Sequence, residues 1–488
     1  MRLLNKSLIF CSLTFLSGCL NLTPSSEEQA QNLIPTPSLD NTVEKALDTP
    51  FFSVGSWPEE NWWNVFTNLQ LNELMNRALA QNPTLQSIQR QVENAKQRSI
   101  IARGQLFPLL FFNASDNLQF LSKNGLYRAL NPNLPLSAGL IDMTLAFTYE
   151  FDFWSKYRNI FQAALGREKA EEASQAQVKL IITTAVAQAF FALKTNLIKA
   201  ELYRDLCEVR KNIFNLQNLL LKNALSSKLP VYLSEEVLLE SEKLIFAIEE
   251  EVEVDKHLLN ILIGNGPDVP LGIDAELPSL PKTLVIPECL SLNLLSRRPD
   301  LMAQIWRVEA LAHEIGVARA DFFPNINLSA ILGLESFHFS NLFNGSSGTG
   351  SAEPAFTLPI YTAGTIQANI DSKRALFDAA LFDYNDLILK SAQEVADLLV
   401  LAKSIYGQQS MQAVIVGCAD ARYGLTELRK QNGLDNDFQI YALQEEVIQK
   451  KLANIDLIYG QYLATVKLIK ALGGGYASDF LPIAKGEK

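Results

Sequence analysis

The chain has 488 residues, of which 48% are hydrophobic and 19% charged, and its mean hydropathy of +0.06 excludes an intrinsically disordered protein. A formal net charge of -11 and a pI near 5.1 exclude nucleic acid as a partner, because phosphate binding needs a basic surface. The length admits either two or three ordinary domains or one elongated helical body with an internal duplication.

The first 18 residues have the composition of a secretory signal. Arg2 and Lys6 precede an apolar stretch over residues 8–16, and Leu-Ser-Gly-Cys follows at residues 16–19. This motif resembles the lipobox of bacterial lipoproteins, so we expect residues 1–18 to be a signal peptide and Cys19 to be acylated, for example with palmitate. Several acyl chains anchor a protein firmly, because each buried methylene contributes about 0.8 kcal/mol. The alternatives are a plain signal peptide and a short core helix with a chance cysteine.

Residues 19–56 are rich in Pro, Ser, Thr and Asn, which predicts a tether between the lipid anchor and the folded body. Beyond the tether the sequence is duplicated. Pro83 and Pro299 are 216 residues apart, and the same separation relates further residues without a gap: Leu85 with Leu301, Val92 with Val308, Glu93 with Glu309, Arg103 with Arg319, and Phe107 with Phe323. We therefore expect a first structural repeat over residues 57–286, a second over residues 287–473, and a tail over residues 474–488.

Four segments alternate apolar and polar residues, at about residues 108–120, 140–152, 324–335 and 353–361. Runs of about ten residues have the length of a tilted transmembrane strand with one face toward lipid and one toward a lumen. The glycine-rich residues 345–350 then predict an external loop. A soluble sandwich with one solvated face is the alternative. The alternation predicts that four carboxylates face the lumen: Asp142, Glu150, Asp152 and Glu335. Because rings of carboxylates attract cations, we expect the passage to have a modest preference for cations.

Four strands cannot close a barrel, and an open sheet edge in lipid leaves unpaired backbone groups. The membrane interpretation therefore requires several copies of the chain. Two copies would give eight strands and a filled interior, whereas three copies would give twelve strands around a passage. We expect a homotrimer.

Two very long helices are predicted at about residues 156–225 and 364–431, which contain no proline. At 1.5 Å per residue each spans on the order of 100 Å, more than a compact domain needs. Apolar residues at three- and four-residue spacing, interleaved with alanine, indicate coiled-coil packing. Return helices are predicted at about residues 231–263 and 438–472, and the turns between, at about 226–230 and 432–437, form two helical tips.

The sequence contains no recognisable catalytic, cofactor-binding or metal-binding motif. The histidines, His257, His313 and His338, are far apart and fit no ligand spacing. The cysteines beyond Cys19 are odd in number and widely spaced, which predicts small buried residues and no disulfide framework: Cys207, Cys289 and Cys418. The three glycines from Gly473 are predicted to cap a helix. We expect neither an enzyme nor a cofactor.

Several motifs together resemble a known family. These are Trp62-Trp63 with LNELMNRALAQNPTL at residues 71–85, RRPDL at 297–301, IGVARADFFPNINLSA at 315–330, and LPIYTAGTIQANI at 358–370. They are similar to the OprM-like outer-membrane factors, the lipoprotein (NodT-type) branch of the TolC family, over about residues 57–473. The resemblance implies a mainly α fold with membrane β structure. In it, a trimeric twelve-stranded β-barrel in the outer membrane continues into a periplasmic α-helical barrel.

The second tip departs from the family pattern. The resemblance implies an Arg-Tyr-x-x-Gly-Leu motif with an Asp nine residues past the Gly, which helps to close the periplasmic entrance. Lys430 stands at the Tyr position and Ala442 at the Asp position. The candidate gate residues are Lys430, Gly433, Leu434, Asp435 and Asp437. Asp435 and Asp437 either supply substitute charge at the aperture or belong to an ordinary solvated turn.

The resemblance implies an exit duct of a tripartite efflux system that exports small molecules such as drugs. Its partners would be a periplasmic membrane-fusion adaptor, an inner-membrane transporter of the resistance-nodulation-division or ABC type, and outer-membrane lipid. We expect the protein in the outer membrane, lipid-anchored and extending into the periplasm. The alternatives are a TolC-like conduit for type I protein secretion and a lipid-anchored structural coiled-coil protein.

Overall fold

The computed structural model of the chain describes residue 23 and residues 33–133, 135–281, 283–287 and 290–478. In these parts, a four-stranded antiparallel sheet continues into a layer of long helices. The predicted combination of α-helices and two pairs of strands is confirmed. The signal peptide, Cys19, Cys289 and residues 479–488 of the predicted tail lie outside the described residues.

The first half of the chain ends with a hairpin of two long helices. Its elements are α1 (Asp40–Leu47), β1 (Phe52–Gly55), a 3-10 helix (Trp62–Phe66), α2 (Leu69–Gln81), α3 (Pro83–Gly104), β2 (Leu109–Phe120), α4 (Leu126–Leu130), β3 (Ser137–Glu150), α5 (Lys156–Lys222) and α6 (Lys228–Leu262).

The same order recurs in the rest of the chain. The elements are β4 (Leu284–Pro287), α7 (Leu290–Arg297), α8 (Pro299–Ala320), β5 (Asn325–Ser336), two short 3-10 helices (Phe339–Asn341 and Gly345–Ser347), β6 (Gly348–Thr357), α9 (Thr365–Gln431) and α10 (Asp437–Ala471). Both α3 and α8 begin at a proline, whose fixed φ suits the first turn of a helix. The Asn82 side chain caps α3 by accepting hydrogen bonds from the Thr84 and Leu85 amides, at 2.9 and 3.2 Å.

Each layer of the protein has two open edges. The strand order is β2-β3-β5-β6, which leaves β2 and β6 at the edges of the sheet. In the helical layer, α5 is flanked by α3 and α6 on one side and by α8 and α10 on the other, and α9 packs against α8 and α10. One edge of the helical layer is therefore formed by α3, which leads into β2, together with α6, and the other edge is α9, which follows β6.

The segment predicted as a tether contains two regular elements, α1 and β1. Strand β1 pairs in parallel with β4, with Phe52 opposite Leu284. Phe52, Leu284 and Ile286 are buried in a core shared with α9 and α10. Sequence patterns missed this sheet because four-residue strands are too short to show periodicity and the partner strand is remote in sequence.

A second core joins the Trp62–Phe66 turn to α5. Phe66 and Phe191 lie edge to face at 4.8 Å between ring centroids, and Phe191 stacks on Tyr462 of α10 at 4.1 Å. Helix α5 also contains an 18-residue stretch with a mean hydropathy of 1.5, long and apolar enough by itself to cross a membrane. Half of that stretch is buried inside the protein, as in the core helix of a folded domain.

Two strand predictions need correction. The fourth strand spans Gly348–Thr357 instead of residues 353–361, because Gly348 and Gly350 continue the ladder opposite Leu334 and Leu332 of β5. The glycines from residue 348 were therefore wrongly predicted as loop. Strand β3 ends at Glu150, so Asp152 lies beyond it and is not a strand residue.

Candidate channel site

The strand register separates two faces of the sheet. One face is apolar in most rows, as where Phe112, Leu145 and Leu332 align across three strands, and the row of Asp116 and Ser336 is an exception. Phe112 and Leu332 are 65% and 71% exposed, although both are large hydrophobic side chains. The other face carries most of the polar strand residues, interrupted by a few apolar residues such as Phe111 and Ile331. An amphipathic sheet of this kind suits lipid on one face and water on the other.

The structure describes all residues of the four strands, which are Leu109–Phe120, Ser137–Glu150, Asn325–Ser336 and Gly348–Thr357. Together these residues include five carboxylates and no Lys, Arg or His. Four lie on the polar face: Asp142, Glu150, Glu335 and Glu353. Asp142 is directly opposite Glu335, and Ser115 Oγ donates a hydrogen bond to Asp142 at 3.5 Å. Glu353, opposite Ser329, was not among the predicted lumen-facing residues. The alternation of apolar and polar residues around it could have predicted its face.

Glu150 and Asp152 lie where the sheet joins the helices. The Tyr157 hydroxyl donates to Glu150 Oε2 at 2.5 Å. Asp152 accepts hydrogen bonds from the backbone amides of Tyr157 and Arg158, at 3.0 and 2.9 Å. A carboxylate in this position satisfies free amides and favours the positive end of the helix dipole. Asp152 therefore caps α5, and its prediction as a lumen-facing strand residue is corrected.

Exposed aromatic residues flank the sheet at both ends. Phe107, Phe153 and Tyr361 lie on the helix side, and Phe120 and Phe337 lie on the opposite side. Tyr361 is 88% exposed and Phe120 is 78% exposed. Two aromatic girdles around an apolar band are typical of transmembrane β structure.

The two helical tips share one backbone turn. Leu225 N donates to Leu220 O and Leu434 N donates to Arg429 O, each at 2.9 Å. In both turns the preceding residue has a left-handed conformation, Ala224 at φ 58° and Gly433 at φ 74°. This is the hydrogen-bond pattern of a glycine-type helix end.

Only the second tip carries ion pairs within its turn. Arg429 Nε lies 2.6 Å from Asp435 Oδ2, and Lys430 pairs with Asp437. The Arg429 hydrogen bond lowers the pKa of Asp435, and the hydrogen bond to Asp437 raises the pKa of Lys430. Each predicted gate carboxylate is thus balanced by a cation of the same tip, while Leu434 stays 66% exposed.

The sequence matches the outer membrane efflux protein family over residues 74–230 and 290–474. The chain belongs to the outer membrane efflux protein family. Its TolC-like fold and its role as an outer-membrane exit duct, both expected from the resemblance, are confirmed, and such a conduit is not an enzyme.

Individual relatives of this outer membrane efflux protein are also outer membrane proteins. The multidrug resistance outer membrane protein MdtP of Escherichia coli K12 is 26% identical over 482 residues, which cover 96% of each chain. The crystal structure of the outer membrane protein VceC from Vibrio cholerae is 27% identical, with a TM-score of 0.76 over 86% of this chain and 100% of that one. The CmeC outer membrane channel of Campylobacter jejuni shares the fold, with 22% identity and a TM-score of 0.79 over 88% of this chain and 90% of that one.

One histidine and two cysteines of the efflux protein can be placed in the fold. His313 Nδ1 lies 2.9 Å from Asn159 Oδ1, between α5 and α8. Cys207 and Cys418 are free thiols, of which Cys207 is half-buried and Cys418 is exposed, so the prediction of buried cysteines is wrong for Cys418. Among the described residues, no three potential metal-ligating side chains come together.

Proposed function

We propose that the protein is a trimeric, lipid-anchored exit duct of a tripartite efflux system that carries small molecules such as drugs out of the periplasm. The observation that carries this proposal is the pair of unlike open edges on each protomer. Strands β2 and β6 each leave one row of backbone groups unpaired, which costs several kcal/mol per group in lipid. If β2 of one copy pairs with β6 of the next, three copies close a twelve-stranded barrel with room for a passage.

The helical edges support the same closure. Large apolar side chains remain exposed along α6, including Tyr232 and Phe246, and along α9, including Val400 and Val414. Phe246 is 75% exposed and Val414 is 65% exposed. Burial of such residues stabilises an interface by about 25 cal/mol per Å². Helices α6 and α9 lie on opposite edges, so a head-to-tail ring buries both sets at once.

The position of Thr23 supports lipid anchoring. Arg319 Nη1 donates to Thr23 O at 3.3 Å near the end of α8, only a few residues before β5. Cys19 is four residues upstream, a distance that an extended chain covers in at most about 14 Å. Acyl chains on Cys19 would therefore reach the membrane in which the sheet lies, which fits an anchor in the outer membrane.

The tips and the relatives support the remaining partners. Leu225 and Leu434 are exposed at the far ends of helices that are 67 residues long, roughly 100 Å from the sheet. This reach suits docking to a periplasmic adaptor bound to an inner-membrane pump of the resistance-nodulation-division or ABC type. Relatives named as multidrug resistance proteins favour drugs as cargo. The conduit for type I protein secretion is the other candidate.

The proposal is tested on the purified protein in detergent. Wild type is expected to be a trimer by light scattering and to give discrete conductance steps in planar bilayers. Val400→Asp on α9 and Phe246→Asp on α6 should each yield monomers without conductance. Val65→Asp, at an exposed apolar residue of the Trp62–Phe66 3-10 helix, which packs on α5 and not on an edge helix, is the matched control and should stay trimeric. A monomeric, electrically silent wild type would refute the duct.

The cargo is tested in the native host. Deleting the gene should raise the cellular accumulation of a fluorescent drug and leave the set of secreted proteins unchanged. Loss of a secreted protein with unchanged drug accumulation would favour the type I secretion alternative.

A further inference from the structure

A polar cleft of about 360 Å³ lies where α3, α5 and α8 run side by side. Its polar lining consists of Gln91, Asn94 and Arg98 from α3, Arg167 and Glu171 from α5, and Arg307 from α8. Three guanidinium groups from three different helices thus surround one space that contains a single carboxylate.

The cleft opens on the face of the helical layer that would line the lumen. Thr183 of α5 lies beside Trp62 and Trp63, at a different cleft. Trp62 and Trp63 belong to the Trp62–Phe66 3-10 helix, which packs on the opposite face of the helical layer. Thr183 follows Arg167 by sixteen residues, which places the two about 160° apart around the helix axis. The Trp62–Phe66 3-10 helix would obstruct a passage if it lay inside the ring, so it must lie outside. Arg167, on the opposite side of α5, therefore points inward.

The arginines of this cleft are only partly neutralised. Within the described part of the chain, Arg98 makes no ion pair and no side-chain hydrogen bond. Arg307 Nη2 donates to the Ser174 hydroxyl at 3.2 Å. Arg167 pairs with Glu314, but Glu314 also accepts from Lys373 at 2.8 Å, so that carboxylate is shared between two cations.

We propose that this cleft is an anion-binding site of the lumen, which takes the carboxylate, phosphate or sulfate group of a solute in transit. The proposal rests on the proposed function, because the cleft faces a lumen only when the protomers close into a ring. Guanidinium groups bind such oxyanions through paired, charge-assisted hydrogen bonds. Three copies would form a basic collar of nine arginines below the acidic strands, so a solute meets opposite charges in succession.

The test uses inorganic pyrophosphate as the probe. Detergent-purified wild type is titrated in a calorimeter, together with the double variant Arg98→Gln/Arg307→Gln and the control Arg90→Gln, an exposed arginine of α3 that does not line the cleft. We expect saturable binding by wild type and control, and at least tenfold weaker binding by the double variant. Circular dichroism checks that all three proteins are folded. Absence of binding by wild type, or equal binding by the double variant, would overturn the site.

Bilayer recordings separate this site from the duct itself. Pyrophosphate added on the periplasmic side should reduce wild-type and Arg90→Gln conductance and leave the double variant unaffected. A protein that conducts but binds no pyrophosphate keeps the proposed function and loses the anion site. A protein that binds pyrophosphate through Arg98 and Arg307 but never conducts keeps the site and loses its place in a lumen.

Discussion

Asp142 on β3 lies directly opposite Glu335 on β5, on the same face of the sheet. Like charges in opposed positions of an antiparallel pair destabilise it, and no basic residue of these two strands compensates them. Such a pair persists at little expense only if the face is in water. The pairing is therefore a physical reason to assign this face to the passage.

Neutralising that pair should weaken the expected preference for cations. Asp142→Asn/Glu335→Gln removes two of the four carboxylates on the polar face and should reduce the reversal potential in a salt gradient by roughly half. Asp116→Asn is the matched control, because Asp116 aligns with Ile141 on the apolar face and should leave the reversal potential unchanged. Anion preference in wild type would contradict the assignment.

The ion pairs of the second tip should restrain opening of the duct. Arg429→Gln/Lys430→Gln removes both pairs within the turn, so the open probability in bilayer recordings should rise several-fold. Lys390→Gln breaks a pair with Asp386 inside a single helix, at 2.7 Å, and serves as the control without an effect. An equal rise in both variants would show that charge alone, and not the tip, governs opening.

The same restraint should depend on pH in one direction. Because Arg429 lowers the pKa of Asp435, the pair is fully present above the ordinary Asp pKa of about 3.9 and is lost as the pH falls through the lowered value. Open probability should therefore be constant between pH 7 and pH 5 and rise only under more acidic conditions. A rise already between pH 7 and pH 5 would contradict this role of the pair.

The three glycines after α10 should be required for stability. A Cβ on Gly473 would lie 1.9 Å from Arg297 O, and the residue has φ +89°. Gly473→Ala should therefore destabilise each protomer by at least about 2 kcal/mol, seen as a lower thermal midpoint. Gly266→Ala is the control, because a Cβ there meets no atom within 4 Å. Equal midpoints for the two variants would refute this requirement.

Much of the fold was predictable because its elements are long and repeated. The residues around Pro83 and Pro299 match without a gap, which predicted that the two halves of the chain repeat the same order of elements. Both prolines begin a helix in the structure. Strands β2 and β3 were recognisable because apolar and polar side chains alternate over 12 and 14 residues. Periodicity over such lengths outweighs local exceptions such as Asp116.

The missed features depend on single contacts that leave no pattern. Gly348 and Gly350 have no side chain to show which face they occupy, so only the ladder with β5 reveals that they belong to a strand. Asp152 continues the alternation of β3 in sequence, but its carboxylate is held by two amides of α5. The convergence of Arg98, Arg167 and Arg307 depends on helix neighbours that the sequence does not specify.

The short parallel sheet sets an order for biogenesis. Ser53 Oγ donates to Thr283 Oγ1 at 3.3 Å across 230 residues of chain, where Ser53 lies in β1 and Thr283 directly precedes β4. Strand β1 therefore has no partner until more than half of the polypeptide has been translocated, and closing so long a loop is entropically unfavourable.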